Sequence, residues 1–508
     1  MTRTQRVSLD VVPHEDAYGL HLPPELDSET LLMTGDQYEA SLRDGRRVID
    51  HTGREVEDVT AHPQLQGGIE TLARYYDAQF DPATRDITTF TDPETGKQAP
   101  VQWMRPRTKE DLRRRREALR LSTYQTLGTF GRPPDYGPLL STALVSVLEW
   151  IEELDPRWAS NTLAFDTVGL RHNLMSADIV ADVQSDRRVP AGELPGRLRV
   201  VEERSDGVVL YGAKPCTSVG VQAHLGIIHT LLSPGIEPEA TIFAAVPMNA
   251  PGITHLLREP VTQRAPAEDH PVGTKVGEES DALMIFDHVF VPLELIFTFR
   301  RQELLNKYHE IGRLPLWHIM TRIAYKAQIF AGAAQLIVDV LGTDQIPQVR
   351  DLVAEVTAYA DTMMAFVIAA EETGEVRSGI FVPNSRYITV GRLYSITEYP
   401  RILQLLRELS GQGLISRFTK AQWERPDIGA KLDEFLPGTG VSARDKNRLF
   451  NFVWDLTSSE AALRTALFEN VNATPAAAMR GRIYAAHDRS EWVRFVKEFA
   501  GMELGEER

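Results

Sequence analysis

Only one cysteine, Cys216, occurs in 508 residues, so no internal disulfide forms and thiolate clusters for zinc or iron–sulfur centres lack their ligands. Long apolar runs are missing too. No stretch approaches 18 uninterrupted apolar residues, and Met1–Arg6 leads into acidic, proline-containing sequence rather than an apolar signal core. Membrane insertion is therefore not expected, and a cytoplasmic location is. Positive charge is in deficit: 55 Lys+Arg face 71 Asp+Glu, a formal charge of −16, which repels nucleic-acid backbones and anionic lipid. No G-x-G-x-x-G follows a strand-like run, and G-x-x-x-x-G-K-[ST], H-E-x-x-H, C-x-x-C and G-x-S-x-G are all absent. Dinucleotide, P-loop, zincin, dithiol and α/β-hydrolase chemistry lose support accordingly. The 13 histidines are scattered, and pairs such as His309/His318 and His224/His229 lack a carboxylate at ligand spacing, so no metal is expected.

What is present reads as a folded chain of several parts. Hydrophobic residues at 43% and charged residues at 25% are globular averages, and the length exceeds one ordinary core. Residues 1–32 show little periodicity and read as an extended arm. From 33 to 174 apolar residues recur at helical spacing, as in Leu139/Leu140, Ala143/Leu144, Val147/Leu148 and Ile151. Lys109–Arg120 mixes basic and acidic residues around Leu112 and Leu119, the pattern of a solvated helix face. Between 175 and 302 the texture is β. Leu198–Arg204 and Val208–Tyr211 flank Ser205-Asp206-Gly207, whose Asp-Gly is expected to supply a left-handed hairpin turn. Thr241–Val246, Ala282–Phe286 and His288–Val291 are further strand-like runs. From 303 to 508 helices return, with 3.6-residue phase from Val349 to Ala370 and a second long candidate from Leu316 to Leu341. The order predicts an α+β chain: an α domain (33–174), a central β-barrel or sandwich (175–302) and a C-terminal helix bundle (303–508).

Several segments carry more than periodicity. They run Met33-Thr34-Gly35-Asp36-Gln37-Tyr38-Glu39, Asp58-Val59-Thr60-Ala61-His62-Pro63, Phe130-Gly131-Arg132-Pro133-Pro134-Asp135-Tyr136, Gln184-Ser185-Asp186-Arg187, Ile285-Phe286-Asp287-His288-Val289-Phe290-Val291-Pro292, His318-Ile319-Met320-Thr321-Arg322 and Gly411-Gln412-Gly413-Leu414-Ile415. In this order, over roughly residues 33–500, they resemble the 4-hydroxyphenylacetate 3-hydroxylase family. The resemblance implies an acyl-CoA dehydrogenase-like fold assembled as a homotetramer, a dimer of dimers. It also implies the oxygenase component of a two-component aromatic monooxygenase. In such a system a separate flavin reductase supplies reduced FAD, O₂ is co-substrate, and a flavin hydroperoxide hydroxylates a small phenolic substrate, free or carrier-tethered. Two alternatives share the architecture: an acyl-CoA dehydrogenase-like flavin dehydrogenase, whose catalytic carboxylate is not identifiable here, and a flavin-free, non-catalytic relative.

The resemblance also assigns residues. Arg132 and Tyr136, in the Gly-Arg-x-Pro-Asp-Tyr pattern, contact the phenol oxygen and the flavin; the alternative is a helix-breaking turn in which Asp135 caps the next helix. His318, Arg322 and Lys326 are spaced by four and share one helix face. In the resemblance His318 is a candidate base beside the substrate, and otherwise it is a packed core histidine. Matching Gln184-Ser185-Asp186-Arg187 to a flavin-contacting segment adds Ile179 and Val180. It also puts Asp178 where many members carry a substrate-binding histidine, as base, anchor or cofactor contact. Thr217 and Ser218 stand for a flavin-bonding threonine, and Thr474 and Pro475 lie in the loop toward the flavin's distal half. Thr230, Leu231 and His270 complete the substrate side.

Overall fold

The computed structural model describes residues 18–19, 29–186, 188–189, 193–230, 236–262, 266–472 and 475–502. Of the expected site residues, Arg187, Leu231 and Thr474 lie outside these, as does most of the 1–32 arm.

The N-terminal helical layer includes Lys109–Gln125, Tyr136–Val145 and Pro156–Arg171. Thr108 and Asp111 open the first of these with a reciprocal capping box. Leu112 and Leu119 are buried as the spacing predicts, but so is Arg115, whose guanidinium turns inward to the carbonyls of Met104 and Gln102 at 2.8 and 2.6 Å. The face expected to be solvated is therefore interrupted at that residue. Asp155 and Pro156 start the third helix, the carboxylate accepting the Arg157 N–H and the proline standing where no N–H is needed.

Two sheets follow. A five-stranded sheet runs in the order Val48–Ile49, Ile253–Leu257, Asp281–Pro292, Gly207–Ser218, Arg199–Arg204. A four-stranded sheet runs Ile296–Phe299, Ile242–Pro247, Leu225–His229, Ser176–Ile179. Val48–Ile49 comes from the N-terminal part and pairs parallel with His255 and Leu256, stitching the helical layer to the β part. The 199–218 hairpin forms, but its turn is not left-handed at Gly207. That glycine serves close approach instead: a Cβ there would lie 2.3 Å from the Val291 carbonyl oxygen and 2.7 Å from the Phe290 ring.

A bulge shapes the far end of the same strand. Met284 pairs with Lys214 and Ala282 with Thr217, so Pro215 and Cys216 together face the single residue Leu283. Cys216 takes a left-handed φ of 53° to accommodate this. Past the bulge, Thr217 and Ser218 are both buried although they are consecutive.

The C-terminal part packs Arg313–Leu341, Pro347–Glu372 and Ser385–Ser410 against one another. Arg313–Leu341 also touches Lys109–Gln125 and Tyr136–Val145, which places it beneath the loop between those two helices. It stops at Gly342, whose φ of 65° suits a left-handed C-terminal residue. Pro347–Glu372 is long and apolar enough to cross a bilayer by length and composition, yet here it lies between two bundle helices. One continuous apolar core, including Phe130, Tyr136, Ile227, Trp317 and Tyr399, joins all three parts.

Candidate active site

The loop after Gln125 turns sharply because Leu127 and Gly128 adopt φ values of 52° and 61° and Pro133-Pro134 fix the backbone that follows. Its middle is anchored: the N–H groups of Gly131 and Arg132 donate to the two carboxylate oxygens of Glu279 at 2.9 and 2.6 Å. Arg464 holds Glu279 in turn at 2.6 Å. So fixed, Arg132 lays its guanidinium 4.0 Å from the Tyr136 ring centroid and 5.1 Å from that of Phe468, with Nη2 3.4 Å from Asp178 Oδ2. Asp135 makes no side-chain cap on Tyr136–Val145. Its Oδ1 lies instead 3.3 Å from His318 Nε2.

His318 is wholly buried on Arg313–Leu341 and meets the Tyr136 ring edge-on at 5.1 Å. Burial pushes its pKa below the usual histidine value, overriding the upward pull of Asp135. The ring is thus a neutral imidazole at pH 7; with Nε2 facing the Asp135 carboxylate, Nδ1, which has no protein partner, is the nitrogen able to accept a proton. Burial pushes the Tyr136 hydroxyl well above its ordinary value and keeps it a donor.

Asp178 is placed by the parallel pairing of Ser176–Ile179 with Leu225–His229, in which it faces Ile227. His229, two residues on, shares that face, and its Nε2 lies 2.6 Å from Asp178 Oδ1. Burial alone would raise the carboxyl's pKa, but His229, Arg132 and Tyr136 together hold it below the usual aspartate value. Asp178 is therefore an ionised, partnered carboxylate and a poor base. Part of the charge of Arg132 is answered by it.

The residues expected around the flavin scatter more widely. Ile179 is a core residue beneath Gly226, and the Val180 carbonyl accepts from Lys214 Nζ at 3.0 Å. Gln184 and Asp186 are exposed, Asp186 being paired with Arg188, and Ser185 is half-buried. Ser218 donates to Asp281 at 2.7 Å, and Asp281 pairs with Arg464, so the strand end connects through Glu279 to the Arg132 loop. The Thr217 hydroxyl has only a 3.5 Å contact to the Lys214 carbonyl and stays able to donate to a ligand. A buried threonine hydroxyl with only this long contact fits a flavin's polar edge, whereas the Ser218 hydroxyl is committed to Asp281 and Arg464. Pro475 precedes Ala476–Ala486 and is exposed.

Two residues expected on the substrate side are otherwise engaged. Thr230 donates to the Ala240 carbonyl at 2.5 Å and accepts from Ile242 N, which closes a strand end rather than presenting a hydroxyl. His270 precedes Pro271–Lys275, a turn docked on Asp455 through Val272 N at 3.1 Å. Among the described residues no hydrogen bond joins His270 to the Arg132 group.

The structure brings Arg132, Tyr136, Asp178 and His318 into one cluster and adds His229, Glu279 and Phe468, which motif reading missed. Only His229 had a signal, as the residue that falls two beyond the partner of Asp178. Glu279 and Phe468 reach the cluster from elements with no motif of their own.

Two family models match the chain: 4-hydroxyphenylacetate 3-hydroxylase N terminal over residues 34–298 and C terminal over residues 307–501. The oxygenase component of a 4-nitrophenol 4-monooxygenase/4-nitrocatechol 2-monooxygenase from Rhodococcus opacus is 34% identical, covering 87% of this chain and 86% of its own. The 4-hydroxyphenylacetate 3-monooxygenase oxygenase component of Thermus thermophilus is 30% identical, covering 92% and 97%. A solved 4-hydroxyphenylacetate 3-monooxygenase oxygenase, complexed with FAD and 4-hydroxyphenylacetate, superposes with a TM-score of 0.87 at 28% identity, covering 92% of this chain and 98% of that one. The chain belongs to the 4-hydroxyphenylacetate 3-hydroxylase family and is the oxygenase component of a two-component, FADH₂-dependent monooxygenase that hydroxylates phenolic aromatics.

Proposed function

We propose that the phenol is bound with its hydroxyl against Arg132 and Tyr136, that His318 takes its proton, and that Asp178 sets how strongly Arg132 assists ionisation. The observation that carries this reading is the stack of Arg132 on Tyr136 at 4.0 Å with the neutral His318 ring, its Nδ1 without a protein partner, edge-on at 5.1 Å. When bound, reduced flavin supplies the activated oxygen. The protein's residues hold the ring, favour phenolate and keep water out, because an electron-rich phenolate is the better partner for an electrophilic oxygen. Arg132 suits the hydroxyl end as a permanent cation with directed donors. Thr217, Ser218, Ile179, Val180 and the 474–475 loop are the proposed flavin side, with Thr217 the donor best placed to serve it.

Asp178 beside Arg132 weakens the pull on the phenol's proton, since a nearby anion disfavours a second one. That favours electron-poor phenols that ionise readily, the class on which the Rhodococcus opacus relative acts, over 4-hydroxyphenylacetate. The expected test result is a steep dependence of rate on phenol acidity that flattens in Asp178→Asn.

The same reading divides the chain at 33–174, 175–302 and 303–508, places it in the cytoplasm on the strength of its lone cysteine, and assembles it as a homotetramer. Support for assembly comes from Ser490–Phe499, where Trp492, Phe495, Val496 and Phe499 form an exposed apolar stripe.

To test the function, the purified chain is given chemically reduced FAD, ¹⁸O₂ and a panel of phenols, and products are read by mass spectrometry. Labelled hydroxylated product is expected. Arg132→Ala is expected to abolish it while FAD affinity stays within about threefold; labelled product at the native rate in that variant removes Arg132 from the site.

A further inference from the structure

Behind Phe468 lies a group of buried charges that the hydroxylation scheme leaves without a role. Phe468 begins a π-helical turn, Phe468–Asn472, that follows the helix Glu460–Leu467. Such wide turns add a residue to a helix and re-aim what it carries. Here consecutive residues point in opposite senses. The Phe468 ring lies so close over the backbone of the Arg132 loop that a Cβ on Gly131 would sit 2.0 Å from it. Glu469 is turned into the helix bundle.

There Arg322 grips both Glu469 carboxylate oxygens, at 2.5 and 2.9 Å. Lys326 Nζ stands 3.9 Å away, and Arg392 donates to the Glu469 carbonyl oxygen at 2.6 Å. Arg322 also donates to the carbonyl of Gly128, at the start of the Arg132 loop, at 3.3 Å. Glu469 thus joins three elements, its carboxylate holding the helix that presents His318 to the turn that presents Phe468, and its backbone carbonyl holding the helix Ser385–Ser410 through Arg392. Arg322 extends that junction to the loop that presents Arg132.

We propose that Glu469 is a positioning residue for hydroxylation: it locks the Phe468 turn onto the His318 helix, and Phe468 then holds the Arg132 guanidinium against Tyr136. The inference rests on the reading that Arg132 meets the phenol. A guanidinium held between two aromatic faces keeps its plane and its donor directions, whereas one free to rotate satisfies Asp178 alone. The bidentate grip supplies directional definition that a single ionic contact does not. Its burial makes loss of the pair costly, because removing one partner leaves an uncompensated buried charge.

The experiment compares native protein with Glu469→Gln, Phe468→Leu and the double variant, using reduced FAD, air and a phenol that the native chain hydroxylates. Oxygen that is not transferred leaves as hydrogen peroxide with the flavin's two electrons, so the peroxide share reports mispositioning. Both single variants are expected to raise the peroxide share and to raise the phenol KM about tenfold, with FAD affinity within about threefold of native. The double variant is expected to be no worse than Glu469→Gln alone, since both act through one path.

Native KM and peroxide share in Glu469→Gln overturn the proposal, as does a lowered melting temperature with no change in either. Additive effects in the double variant also overturn it, because Glu469 then acts without Phe468. If Glu469→Gln does not fold, Phe468→Leu decides, and native KM and coupling in that variant overturn the proposal. A native chain that hydroxylates no phenol refutes the functional reading instead.

Discussion

At the residue scale the protein's contribution is the protonation state of a few buried groups. His318 is kept neutral by burial, so it is ready as a base at pH 7 without competition from its own protonation. His318→Asn is expected to lower kcat by roughly 10²–10³, with the residual rate climbing with pH toward the pKa of the particular phenol supplied. A residual rate that is flat with pH removes His318 as the base. Lys326 makes a second, independent test. Burial, opposed by Glu469, brings its pKa down to about 7, whereas an unfolded lysine titrates near 10.4. Between these values the unfolded chain binds more protons than the folded one, so stability rises with pH through that window, and the penalty is complete below about pH 7. Thermal melts of Lys326→Met are expected to lose this rise relative to native protein; an identical slope means that Lys326 is not desolvated.

At the scale of elements, the site is an arrangement of irregular backbone on regular supports. A left-handed Leu127-Gly128 pair, a double proline, a strand bulge at Cys216 and a π-helical turn at Phe468 each re-aim one or two side chains. The helix Arg313–Leu341 and the parallel Ser176–Ile179 strand supply fixed positions for His318 and Asp178. Glycine at 131 is what lets the Phe468 ring approach. Gly131→Ala is expected to cost about 1–3 kcal/mol as overpacking and to lift the Phe468 ring away from the Arg132 loop. Calorimetry and the peroxide share of consumed oxygen check both effects. A variant with native melting and native coupling shows that the ring tolerates a Cβ.

At the scale of the whole molecule, an apolar surface is left uncovered among the described residues of the single chain. Ser490–Phe499 buries no residue, with Phe499 87% exposed. A contiguous apolar face of this kind marks an interface. Introducing charge on it, as Phe495→Glu with Phe499→Glu, is expected to shift the chain from the proposed tetramer to a smaller species in light scattering. A monomeric native chain, or an unchanged tetramer in the variant, rules this face out as the contact.

The sequence by itself determined the order of helical and strand-rich parts and named the candidate site residues. Helical phase predicted helices over Val349–Ala370 and Leu316–Leu341, observed as Pro347–Glu372 and Arg313–Leu341, because it is a local pattern set by 3.6-residue periodicity. The collinear motifs named Arg132, Tyr136 and His318 because each stands in a contiguous string. Local reading failed where the partner is remote or the backbone departs from its usual turn. Gly207 is there for contact rather than handedness, Arg115 leaves a solvated pattern for carbonyls inside, and Thr230 closes a strand. Only the tertiary structure decided that Asp178 is paired with His229, 51 residues away, that Glu279 grips the Arg132 backbone from 147 residues away, and that Glu469 meets Arg322 across the same separation. The physical reason is that periodicity and motifs encode neighbours along the chain, whereas the charge felt at Arg132 is summed over neighbours in space, chosen by strand register and helix packing.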